Sequence, residues 1–234
     1  MSFSLIIPIA SDKKEYEQSM PYVFRLGEDG IMYCIHAIMK LNLHLFDNIY
    51  FSILAIHNER YYIKQLLDLQ FQRLKLSNAK VVIIEHLTYS QPETIYQTIK
   101  QENIKGSIYI KDADCTFSCE IMPENSVAIY PLENLSWVNP QNKSYVAIDD
   151  MFYVTNIIEK RIISHFFSAG GYGFENSEEF CKYYELFVDK KGLYLSHIIY
   201  AMLLNKHIFR PSLAQNYQDF NLSLIHISEP TRRS

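Results

Sequence analysis

The sequence has no block of basic residues: 22 Lys and Arg stand against 26 Asp and Glu, for a formal net charge of −4. Without a positive stripe there is no electrostatic footprint for DNA or RNA, which excludes nucleic acid as the main partner. No apolar stretch approaches the roughly 20 residues that a membrane-crossing helix needs. The opening MSFSLIIPIASDKK lacks a basic region before its short apolar run and a small-residue cleavage site after it, so it reads as a strand and not as a secretion signal. Cys115 and Cys119 have no second Cys/His pair at finger-like spacing; with Cys34 and Cys181 they are expected as buried free thiols in a reducing cytoplasm. The histidines from His36 to His207 share no spacing, and no G-x-S-x-G elbow or Cys/His pairing points to a covalent nucleophile. Internal repeats, low-complexity tracts and linkers are absent as well. What remains is a globular composition, 48 % hydrophobic and 21 % charged, in 234 residues, which fits a single α/β domain.

Along the chain, strands and helices alternate. Residues 3–9 form a continuous apolar run, as in a buried central strand, and a polar loop over 11–21 follows. The spacing of Ile31, Cys34, Ile35, Ile38 and Met39 predicts a helix to about Leu41. A strand is expected over 49–56, a helix over 58–76 and a strand over 81–84. Ser90 and Glu93, with Pro92 between them, resemble a capping box that opens the helix carrying Ile95, Tyr96 and Ile99. This alternation belongs to a parallel sheet with crossover helices, in which ligands sit beyond the carboxyl ends of the strands. Strands then come at shorter intervals, over 126–132, 145–148 and 152–158, so the sheet is expected to become mixed. The run FSAGGYGF follows, then helices over 178–187 and 193–204, with Ser177 and Ser196 as candidate caps.

The most informative stretch is IYIKDADCTF, residues 108–117. Its apolar strand stops at Lys111, and Asp112 and Asp114 follow with one small residue between them. With the backbone extended, the two-residue period places both carboxylates on one side, where they suit an oxygen-loving cation such as Mg²⁺ or Mn²⁺ bridging to phosphates. A polar turn after a strand is the alternative reading.

In order and spacing, residues 4–220 resemble the sugar-phosphate nucleotidyltransferase branch of the GT-A-like nucleotide-diphospho-sugar transferases. LIIPIA is similar to that family's first strand; SQPETIY lies where the family reads the nucleobase; IYIKDADCTF is similar to the strand leading to the first metal aspartate; IIEKRIIS to the Glu-Lys segment; FSAGGYGF to the glycine strand under the sugar; and NYQDF to the start of the segment holding the second metal aspartate. The resemblance implies a Rossmann-like GT-A fold, with a central, mostly parallel mixed sheet and helices on both faces. It also implies Mg²⁺ or Mn²⁺ on Asp112, Asp114 and Asp219, charge offset by Lys13 and Lys160, and substrate contacts from Ser11, Gln91, Glu159, Gly170 and Gly171. The implied reaction joins a nucleoside triphosphate to a sugar 1-phosphate with release of pyrophosphate, in the cytoplasm, for surface polysaccharide biosynthesis; a homo-oligomer is compatible with it. Two family features are missing: the first loop, SDKKEYEQSMPYVF, has no glycine, and Tyr22 stands where a Lys would follow Pro21. That departure keeps open a glycosyltransferase of the same fold, with Asp149 or Asp150 as base, and a non-catalytic nucleotide-sugar binding domain. The last stretch, LSLIHISEPTR (222–232), resembles a translated sequencing adapter; the domain is therefore expected to occupy 1–221, truncated at its C-terminus, with 222–234 as a non-native tail.

Overall fold

β1 (Phe3–Pro8) lies inside the sheet because its apolar run tolerates burial on both faces: Phe3 to Ile7 are all buried. It pairs in parallel with β2 (Asn48–Leu54) on one side and with β4 (Ser107–Lys111) on the other, and β2 pairs in parallel with β3 (Ala79–Ile84). The computed structural model describes residues 2–10, 20–134, 142–188, 190 and 192–220. Beyond β4 the sheet continues through β9 (Phe166–Phe174), β6 (Ser126–Pro131) and β10 (Arg210–Leu213), in the order β10-β6-β9-β4-β1-β2-β3. Of these seven strands β9 runs against its neighbours, and the others share one direction. An antiparallel hairpin of β7 (Ser144–Ile148) and β8 (Val154–Glu159) joins the sheet where Tyr145 meets Phe167. A separate ribbon pairs β5 (Cys115–Ser118) with β11 (Gln215–Asp219).

Strand alternation divides the core into two layers. Leu5 and Ile7 face the layer that holds Phe51, Ile53, α1 (Tyr33–His36), α3 (Ile63–Leu74) and the ribbon residues Phe117 and Tyr217. Ile6, Tyr50 and Val82 face the layer that holds α4 (Gln91–Glu102), α5 (Ser177–Glu185) and α6 (Leu195–Leu204). Strand order reverses at β1: the chain builds outward through β2 and β3, then crosses to place β4 on β1's other side. That reversal opens a crevice beyond the carboxyl ends of β1 and β4.

Several local expectations are corrected. The helix expected over 31–41 is one turn, Tyr33–His36, because bonding tightens to i→i+3 at Ile38 and Leu41. The helix expected over 58–76 begins earlier and is broken into α2 (Ala55–Tyr61) and α3 at Tyr62, which adopts φ 54°. The caps of α5 and α6 are Asn176 and Tyr194; Ser177 and Ser196 lie inside their helices. The strand expected from 152 starts at Val154, since Phe152 closes a turn at φ 63°. The short strands β5, β10 and β11 were not anticipated. By contrast, Ser90 caps α4 as expected, its hydroxyl accepting from the Glu93 N–H at 3.3 Å, while the Glu93 carboxylate accepts from the Tyr89 N–H at 2.7 Å.

Candidate active site

Two adjoining cavities open at the crevice. The larger, about 540 Å³, is lined by the end of β1 (Pro8 to Ala10), by Tyr22, by Thr88 to Gln91 at the start of α4, and by Asp112 to Asp114. The smaller, about 170 Å³, is lined by Lys143, Ser144, Glu159, Ser168, Gly170, Tyr172, Ser196 and Tyr217. Gln91, Asp112, Asp114 and Tyr194 line both, so the acidic pair stands where the two chambers meet.

The large chamber is fastened by two threonines that belong to no recognisable motif. Thr88 donates to the Ala10 carbonyl at 2.6 Å and shares a 2.7 Å hydroxyl contact with Thr94 of α4. These bonds tie the end of β1, the loop after β3 and the first turn of α4 into one wall. Gln91, expected to meet a nucleobase, sends its amide N–H to Asp112 Oδ1 at 2.6 Å.

Asp112 continues the β4 alternation on the Ile108–Ile110 face, whereas Lys111 turns under the Tyr109 face. Lys111 is fully buried. Its Nζ donates to the carbonyls of Asp112 (2.7 Å) and Cys115 (2.8 Å) and lies 4.6 Å from the Phe117 ring centre. One side chain thus clamps both ends of the turn that presents Asp112 and Asp114. Burial, followed by the charge of Asp114, pushes the Asp112 carboxyl up from 3.8 to about 6. Burial and then the Asp112 charge hold the Tyr172 phenol well above its usual range, so it lines the small chamber as a neutral O–H.

Opposite Asp112, β9 bulges. Its pairing with β6 shifts register between Val127 and Ile129, and Gly170 within the bulge adopts φ 86°. The Gly170 carbonyl accepts the Asp112 N–H at 2.9 Å. A β-carbon on Gly170 would stand 2.6 Å from Asp112 Oδ2 and 2.9 Å from Asp112 Cβ. Gly170→Ala is therefore expected to cost about 1–3 kcal/mol through left-handed strain and to displace Asp112; a urea titration together with a binding assay for Mg-nucleotide checks both. Gly171 serves a different purpose from the one expected. A β-carbon there would meet Tyr109 Oη, Phe117 and Ala128, so its small size lets the sheet pack and it does not line either chamber.

Glu159 reaches the small chamber, where the hydroxyls of Ser144 and Ser196 donate to its carboxylate, the latter at 3.1 Å. Lys160 does not. It falls in the turn after β8 at φ 60°, is exposed, and lays its Nζ 2.6 Å from Tyr194 Oη and 4.7 Å from that ring's centre. Asp219 is carried to the acidic turn by the ribbon, in which it pairs with Cys115 while the Phe220 N–H donates to the Asp114 carbonyl at 2.9 Å. Its carboxylate is engaged by Lys143 at 2.8 Å. Among the described residues no group of three His, Cys, Asp or Glu is placed to hold a metal ion. Asp149 spends its carboxylate on the N–H groups of Met151 and Tyr153 in the β7–β8 turn, and neither it nor Asp150 lines a chamber. Ser11 and Lys13, like Lys14, lie outside the described residues.

No protein-family model matches the chain, and no curated protein matches it. Solved structures do. A nucleoside-diphosphate-sugar pyrophosphorylase from Vibrio cholerae RC9 superposes with TM-score 0.73 at 14 % identity, over 89 % of this chain and 91 % of that one. An inositol-1-phosphate CTP transferase from T. maritima gives 0.71 at 14 % identity, over 94 % and 89 %. A protein assigned as a glucose-1-phosphate thymidylyltransferase from Bacillus anthracis, in complex with sucrose, gives 0.70 at 14 % identity, over 97 % and 93 %. At such low identity the likeness establishes the fold: a Rossmann-like α/β domain with a mostly parallel central sheet between helices. No helix among the described residues is long and apolar enough to cross a membrane.

Proposed function

We propose that the protein is a nucleotidyltransferase that joins a nucleoside triphosphate to a sugar phosphate or a related polar phosphate and releases pyrophosphate. The observation that carries this reading is the placement of Asp112 and Asp114 at the junction of two chambers of unequal size and character. A large chamber beyond β1 suits a nucleotide, a small polar one suits a phosphorylated hydroxylated ring, and the two ligands would meet at the acidic pair. The likeness to three nucleotide-transferring proteins supports it.

A divalent cation fits this junction. The small chamber has three carboxylates, those of Asp112, Asp114 and Glu159, against one lysine among its described lining residues. Mg²⁺ commonly takes one or two carboxylates and completes its shell with water and phosphate, so Asp112 and Asp114 suffice without a third protein ligand. When bound, the ion would neutralise charge on phosphate oxygens. The chain's own contribution is placement. The Lys111 clamp and the Gly170 carbonyl fix the acidic turn, Gln91 orients Asp112, and Glu159, held by two serines, accepts ring hydroxyls. Ser11 and Lys13 follow β1, whose end opens on the large chamber. The family resemblance extends the proposal to cytoplasmic supply of nucleotide-sugars for surface polysaccharides.

Tyr22, in place of a lysine on the wall of the large chamber, favours a second reading, glycosyl transfer from a nucleotide-sugar. The carboxylates expected as its base, Asp149 and Asp150, line neither chamber, and Asp149 accepts the N–H groups of Met151 and Tyr153 in its own turn. Incubation with nucleoside triphosphates, a panel of sugar 1-phosphates and Mg²⁺ is expected to release pyrophosphate. Release of nucleoside diphosphate from a nucleotide-sugar and an acceptor, with no pyrophosphate from any pair, would establish glycosyl transfer in its place.

A further inference from the structure

We infer that Lys143, and not Lys160, is the cation that binds the phosphate group of the ligand in the small chamber. Among the described residues lining either chamber, Lys143 is the one basic side chain. It stands at the head of the β7–β8 hairpin, where its carbonyl accepts the Lys160 N–H at 2.8 Å. The two lysines are thus neighbours across the ladder whose side chains go to different places. Lys160 folds over Tyr194 at the surface, and Lys143 enters the cavity beside Tyr217.

The Lys143 side chain is held rather than swinging. Its Nζ donates to Tyr217 Oη at 2.6 Å and to Asp219 Oδ2 at 2.8 Å, and it lies 5.2 Å and 5.5 Å from the ring centres of Tyr217 and Phe167. An ammonium has three protons, so two are committed and one remains for a ligand. Its side chain is 17 % exposed, and Asp219's is 11 % exposed. A buried ion pair contributes little net stability by itself, since desolvating both groups offsets their attraction. A pair built on the wall of a polar cavity does something more: it positions a charge that a phosphate oxygen meets with little reordering. The Asp219 carboxylate, 2.8 Å from Lys143 Nζ, offsets the cost of holding this charge in the cavity wall. Asp219 thereby acts as the counter-charge that holds Lys143 in place.

The inference rests on the transferase reading only for what the phosphate is attached to. The probe is inorganic phosphate, titrated calorimetrically against the full chain in the presence of Mg²⁺. Lys143→Gln keeps a donor for Tyr217 and Asp219 and removes the charge; it is expected to weaken phosphate binding by about ten-fold to a hundred-fold with little change in melting temperature. Lys143→Arg is expected to restore binding to within a few-fold of wild type, and Lys160→Gln to change it by less than about three-fold. Undiminished binding by Lys143→Gln, an equal loss in Lys160→Gln, or no phosphate binding by the wild-type protein would each overturn the inference. Loss of binding in Lys143→Gln alongside a wild-type protein that transfers no nucleotide would uphold Lys143 and sink the reaction. Transfer with an unaltered KM for the sugar phosphate in Lys143→Gln would do the reverse.

Discussion

Asp112→Asn is expected to lower turnover by on the order of a hundred- to a thousand-fold while making the metal-free protein more stable at neutral pH. The first effect follows from the position of Asp112 where the chambers meet: removing a charged oxygen from a cation site costs several kcal/mol of transition-state stabilisation. The second follows from its titration. Folding raises this carboxyl from 3.8 to about 6, chiefly by burial and next by the charge of Asp114. A carboxyl with a raised folded-state pKa favours the folded state in its protonated form. That contribution is whole below about pH 4, declines as pH rises through 4 to 6, and is lost above. At pH 7.5 the charged Asp112 therefore works against folding, and an uncharged Asn does not. Urea unfolding in EDTA is expected to show Asp112→Asn more stable by about 1–3 kcal/mol at pH 7.5 and nearly equal to wild type at pH 4. A variant destabilised at pH 7.5 would show that Asp112 serves the fold and not the ligand.

Lys111→Met is expected to destabilise the protein by about 2–4 kcal/mol, and also to impair the site. Methionine fills nearly the same volume, so the loss comes from the missing donor, which leaves the Asp112 and Cys115 carbonyls without the Lys111 bonds in the protein interior. Since these carbonyls bracket the turn over residues 112–115, its geometry loosens as stability falls. The measurement is a urea midpoint together with the dissociation constant for Mg-nucleotide. A midpoint shift with unchanged affinity at low urea would mean that Lys111 supports the core and not the acidic turn.

Much of the layout was legible in the sequence, for identifiable reasons. β1 and β4 are apolar runs buried on both faces, and such runs have few alternatives to a central strand. The α4 start carried its own cap chemistry in Ser90 and Glu93. That Asp112 and Asp114 come just beyond β4 followed from a strand that ends at Lys111, but they sit in a turn and not on the extended backbone expected for them. What escaped were contacts set by tertiary pairing. Lys143 stands just before an ordinary strand, SYVAI, and becomes notable only when β11 brings Tyr217 and Asp219 against it. Lys111 looked like the end of a strand; only the packing of Phe117 beneath it makes it a buried clamp. Glu159 and Lys160 came together as site residues from the family resemblance, although adjacent residues on a strand point to opposite faces. Glu159 ends the strand and Lys160 turns at φ 60°, so the two side chains part. The glycines parted for the same reason: Gly170 faces Asp112 and Gly171 the core. The split of the long helix at Tyr62 had no warning in the hydrophobic spacing, which runs through the break.

The central claim is transfer of a nucleotidyl group at the junction marked by Asp112 and Asp114. Two samples of one nucleoside triphosphate, labelled on the α-phosphorus or on the γ-phosphorus, test it most directly when incubated with a sugar 1-phosphate, Mg²⁺ and either the wild-type protein or Asp112→Asn. The account predicts α-label in a nucleotide-sugar and γ-label in pyrophosphate, both lost in the variant. γ-Label appearing in inorganic phosphate alone, or equal product from Asp112→Asn, would contradict it.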